Sequence, residues 1–160
     1  MDGDRIYISR LGWSLRVGKP AKGTEESKPV PPPGGSSPQY IAPEVFQNTS
    51  SDWDGFAADL WACGLMLYSM VVSSQALFVA PIPEDRNFVE LCVKGNVRKQ
   101  AETFGKMTRQ DLELSDDLVD LLQKMLKVNP KERLSLAEIM EHPWVKNGEE
   151  EKPPKSGLGF

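Results

Sequence analysis

His142 is the single histidine of this 160-residue chain, and Cys63 and Cys92 are its two cysteines. These are too few soft ligands for a zinc site. Hydroxyl groups are better placed for chemistry. Thr24, Ser27, Ser36 and Ser37 stand in a stretch from Gly18 to Ser37 made largely of Gly, Pro, Ser, Lys and Glu, where each could take a phosphate. The same stretch carries Lys28-Pro29-Val30-Pro31-Pro32-Pro33, which favours extended polyproline II. Pro29 and Pro32 have the spacing that proline-recognition domains read. No flanking basic residue is properly placed for that, so a mobile loop insertion is the favoured reading. Nineteen Lys and Arg against 23 Asp and Glu leave a formal charge of −4, which gives no electrostatic footprint for nucleic acid or an anionic membrane surface.

The elements that must position these groups are legible in outline. With 39% hydrophobic residues and 13 glycines the composition is that of one ordinary folded domain. Asp2-Gly3 is a hairpin-turn signal and Arg5-Ile6-Tyr7-Ile8-Ser9 alternates like a half-buried strand. The strand before that turn would lie upstream, so sequence is expected to be missing from the gene or the gene model. After Asp54-Gly55, residues Phe56 to Val72 are apolar on almost every face and predict a central helix surrounded by protein. Its apolar run, Leu60 to Val72, is too short for a bilayer.

Residues 73 to 86, with Pro81 and Pro83, predict a connection, then a short amphipathic helix with Phe88, Leu91 and Cys92 inward, then a less regular stretch from Gly95 to Leu114. Ser115 is a helix N-cap followed by Asp116 and Asp117. Leu118, Leu121, Leu122, Met125 and Leu126 make one stripe at helical spacing, stopped by Asn129-Pro130. Ser135-Leu136-Ala137-Glu138 is a capping box opening a final short helix that ends near His142-Pro143. Residues after Lys146 form an acidic, proline-containing tail. No basic and apolar leader opens the chain. The expectation is an intracellular protein with reduced thiols, cytoplasmic rather than nuclear.

Ser37-Pro38-Gln39-Tyr40-Ile41-Ala42-Pro43-Glu44 is explained by neither composition nor periodicity. It resembles the end of the activation segment of eukaryotic protein kinases, closing on Ala-Pro-Glu. Asp59-Leu60-Trp61-Ala62-Cys63-Gly64 resembles the family's Asp-x-Trp-x-x-Gly helix. Asn129-Pro130-Lys131-Glu132-Arg133 resembles the turn before its last helix, and His142-Pro143-Trp144 that helix's ending. The order and spacing match from about residue 5 to 146. The implied fold is mainly α: a partial protein-kinase-like C-lobe, a helical bundle with a short N-terminal strand and a long activation-segment loop. Its implied parts are a strand remnant and degenerate Asp-Phe-Gly region at 1–17, an activation-segment-like loop at 18–44, the helical C-lobe at 45–146 and a disordered tail at 147–160.

The resemblance implies that Glu44 and Arg133 form a buried bidentate ion pair, that Ala42 and Pro43 complete its segment, and that Trp61 and Gly64 serve packing. Asp59 would reach the backbone of a catalytic loop that lies before Met1. Without that partner its carboxylate must protonate or stay wet. Ser37, Pro38 and Tyr40 match the substrate-docking loop, and Ser37 favours the Ser/Thr class over tyrosine kinases. Within these residues there is no Gly-x-Gly-x-x-Gly loop, no Val-Ala-Ile-Lys-like strand and no His-Arg-Asp loop.

The metal-binding Asp of Asp-Phe-Gly is matched by Arg10, in Arg10-Leu11-Gly12, and a permanently charged guanidinium repels magnesium where an oxygen ligand is needed. An ordinary strand-end arginine is favoured over a phosphate contact there. The expected function is thus a Ser/Thr-type protein kinase domain by ancestry, inactive alone, with no catalytic residue and no cofactor of its own, ATP and Mg belonging to a complete relative. The alternatives are a pseudokinase-type interaction module or a truncated gene model of a larger kinase. As an interaction module it would hold a protein partner through the helical surface around residues 84 to 110 or the proline-rich loop.

Overall fold

The computed structural model describes residues 37–47 and 54–147. The expected strand at 5–9, Arg10-Leu11-Gly12, the loop through Ser36 with Thr24 and Ser27, and the tail from 148 lie outside the described residues.

The described residues are helical and include no strand. A 3₁₀ turn at Pro38–Tyr40 leads into α1, Pro43–Phe46, where proline sits at the first helical position and its missing N–H costs no bond. Asp54 opens α2, Gly55–Val71, by accepting the N–H of Phe56 at 2.9 Å and of Ala57 at 3.4 Å. Trp61, Leu65 and Tyr68 on its inner side are fully buried, and the core is assembled around them. The expectation of burial on all sides holds for that side only. Phe56, Met66 and Met70 are 64%, 55% and 71% exposed, with Asp59 and Cys63 also exposed between them. The apolar composition of α2 exceeds what the described residues cover.

Phe78 and Phe88 meet edge to face at 5.2 Å, and Phe88 lies 6.5 Å from Trp61, so the connection after α2 is stapled to the core by aromatic rings. Asp85 caps α3, Arg86–Phe88, which runs on as a π-helical turn, Val89–Val93, with Phe88, Leu91 and Cys92 inward as their spacing predicts. Burial pushes the Cys92 thiol well above its usual range.

The stretch expected to be irregular holds a helix instead: α4, Val97–Thr108. Its inward face carries Val97, Ala101, Phe104 and Gly105, a helical spacing in which only Val97 and Phe104 are large. Gly105 has to be small, because a Cβ there would stand 2.7 Å from the Gln110 carbonyl oxygen. Arg109 ends the helix in the left-handed region, φ 57°.

Ser115 caps α5, Asp116–Met125, accepting the Leu118 N–H at 3.2 Å, and the predicted leucine stripe is buried against α2. Gly64 sets that approach: a Cβ on it would meet Leu126 Cδ2 at 3.0 Å and Met125 Cβ at 3.1 Å. After a 3₁₀ turn at Pro130–Glu132, both halves of the Ser135/Glu138 capping box form and start α6, Leu136–Glu141. Pro143 then opens a further helix, α7, Pro143–Asn147, where the final helix was expected to stop. Proline tolerates the first turn of a helix as readily as it ends one.

Candidate functional site

Of the residues singled out by the sequence, Glu44, Trp61 and Arg133 converge where α1 meets the core. Arg133 follows the Pro130–Glu132 turn and its side chain is 1% exposed. Nη1 donates to Glu44 Oε1 at 2.7 Å and to the Ala57 carbonyl at 3.0 Å. Nη2 donates to Glu44 Oε2 at 2.6 Å and to the Val128 carbonyl at 3.1 Å. Nε donates to the Lys127 carbonyl at 2.7 Å. A guanidinium has five N–H donors, and each has an acceptor here. The Glu44 carboxylate, 12% exposed, receives the two parallel bonds that planar Arg–carboxylate geometry favours. The guanidinium also lies over the Trp61 indole, 4.9 Å from its centroid.

The local sequence explains how the arginine is held there. Asn129 caps the Pro130–Glu132 turn, accepting the Lys131 N–H at 3.1 Å and donating to Glu132 at 2.8 Å. That turn delivers Arg133 to the end of α5, where the Lys127 and Val128 carbonyls have run out of helical partners. Ala42, 2% exposed, Pro43 and Val45 seat the other side of the pair in the core. The segment before α1 is pinned by Tyr40, whose hydroxyl donates to Ser69 Oγ at 3.4 Å while Ser69 bonds the Leu65 carbonyl at 2.8 Å. Ser37 and Pro38 remain exposed at the outer end of this segment.

Asp59 stands apart from the pair, on the open face of α2, and its carboxylate stays in water. His142 and Trp144 sit at the α6–α7 junction, where His142 Nε2 meets Asp120 at 3.0 Å. Sequence reading missed Ser69, Asp120 and Lys124 as partners. The Asp120/Lys124 pair at i, i+4, bonded at 2.6 Å, is the one available signal among them. Among the described residues no group of three or more His, Cys, Asp or Glu side chains is placed to hold a metal ion. Glu90, the acid whose carboxyl lies furthest below its usual range among the described residues, is held down to about 2 by hydrogen bonds from Lys94 and Asn96. The Glu44–Arg133 pair therefore anchors the segment before α1 to the helical core.

The family model for the protein kinase domain matches residues 21–145. The chain belongs to the protein kinase family. Over 108 residues it is 39% identical to CBL-interacting protein kinase 1 of Oryza sativa subsp. japonica, covering 68% of this chain and 20% of that protein. Calcium-dependent protein kinase 19 of Arabidopsis thaliana is 29% identical over 124 residues, 76% of this chain and 20% of that protein. A probable serine/threonine-protein kinase of Saccharomyces cerevisiae is 33% identical over 123 residues, 75% of this chain and 10% of that protein. The chain thus spans a fifth or less of the length of these curated relatives. Among the described residues no helix is long and apolar enough to cross a membrane.

Proposed function

We propose that this chain is the helical part of a Ser/Thr protein kinase domain whose task is to hold the substrate-facing segment, and that by itself it transfers no phosphate. The bidentate Glu44–Arg133 pair carries the first half of the reading. It ties the segment behind Ser37, Pro38 and Tyr40 to the core through five hydrogen bonds from a single side chain. A loop that presents a peptide must be held at its base, because ordering it at the moment of binding costs affinity.

The second half rests on the donor set. Phosphoryl transfer requires a base, metal ions on the phosphates and a cationic clamp. Residues 1–160 contain none of the motifs that provide them in the family, and the resemblance sets Arg10 at the position of the aspartate that holds magnesium. On that reading ATP and magnesium do not fit the residues of this chain taken by itself. With Mg-ATP and a generic Ser/Thr peptide, the purified chain is expected to give no transfer above a protein-free blank. Reproducible transfer abolished by Arg10→Ala would overturn the reading.

The open face of α2 favours a second reading, a pseudokinase-type module that binds a protein partner in the cytoplasm through its exposed helical surface or the proline-rich loop. Phe56, Met66 and Met70 place apolar area in water along one helix, and such patches mark association sites.

A further inference from the structure

We propose that His142 is a proton-sensitive latch holding α7 on the helical core. Its ring is 5% exposed and works at both nitrogens. Nδ1 accepts the backbone N–H of Trp144 at 3.3 Å, so the imidazole caps the first turn of α7 as an Asn or Ser side chain would. That fixes Nε2 as the N–H donor to Asp120 on α5, at 3.0 Å. Only the neutral ring with its proton on Nε2 makes both bonds. A second proton at Nδ1 sets two N–H groups against each other and strips the cap from Trp144.

The charged groups around the ring are few. From α5 come Asp120 and Lys124, bonded to each other at the same carboxylate oxygen that His142 uses, so the lysine already draws on the charge that would welcome an imidazolium. On α6 and α7, Glu141 and Lys146 pair with each other. Glu138 is taken by the Ser135 cap. Trp144 packs part-buried against the core, so losing its cap loosens the contact between α7 and α5.

His142 is the chain's single histidine, so no second imidazole can produce the same response. The test is amide hydrogen exchange by NMR on the full 160-residue chain from pH 7.5 to 5. The protection factor of the Trp144 amide should fall by up to tenfold per pH unit below the midpoint, the slope of a one-proton opening, while that of Leu122 in α5 holds steady. In His142→Asn, whose side chain caps without titrating, Trp144 protection should be independent of pH. A flat Trp144 profile in the unaltered protein, or a parallel fall at Leu122, would overturn the proposal. So would the same slope in H142N; if that variant does not fold, the contrast between the two amides decides alone.

Discussion

Arg133 gives five hydrogen bonds, two to a carboxylate 89 positions away in the chain. Taking such a charge out of water is costly, and the arrangement holds because no donor is left over. Removing one partner should therefore hurt more than removing both. Arg133→Met is expected to cost ~3–5 kcal/mol in urea unfolding, since it strands the Glu44 carboxylate and frees three backbone carbonyls. The double variant with Glu44→Leu should recover part of that loss. Equal destabilisation of the single and double variants would mean that the carbonyl bonds, and not the ion pair, carry the site. The pair's two members could be named from the sequence through the family resemblance. The carbonyls of Ala57, Lys127 and Val128 could not, because a backbone acceptor has no residue type to announce it.

At the scale of elements, the local signals were the reliable ones. The Ser135/Glu138 capping box, the Ser115 cap and the α5 leucine stripe are written in a few neighbouring residues, and each appears where its spacing puts it. The α4 helix was read as irregular although Val97, Ala101, Phe104 and Gly105 follow helical spacing, because two of the four are too small to stand out among charged neighbours. Its helicity comes from what it packs against and from Arg98, which bonds the Leu114 carbonyl at 2.7 Å and Asp116 at 2.6 Å. The α2–α5 approach depends on Gly64. Gly64→Val adds two methyl groups beyond a Cβ that already crowds Leu126 and Met125, and should destabilise by about 1–3 kcal/mol in thermal or urea unfolding. A neutral result would show that the two helices separate without penalty.

For the molecule as a whole, the open side of α2 is the main consequence of what the described residues bury and what they do not. Met66 and Met70 face water, so Met66→Glu with Met70→Glu should change unfolding free energy by no more than ~0.5 kcal/mol per substitution and lower the binding of an apolar dye. A loss of several kcal/mol would mean that this face is packed in solution and would count against the interaction-module reading.

The sequence alone determined the family, because Ala42-Pro43-Glu44, Trp61, Gly64, Arg133 and His142-Pro143-Trp144 are residue types at fixed spacings, and spacing is a one-dimensional property. It also determined the helix caps at Ser115 and Ser135, whose physics spans three or four residues. Only the tertiary structure decided that α2 has a wet side, that α4 is a helix, that Pro143 starts α7 where it could have ended α6, and that Asp120 meets His142. Each of these depends on which surfaces lie against each other. Burial is a relation between segments distant in the chain, and a pattern of residue types within one segment specifies a face without specifying its neighbour.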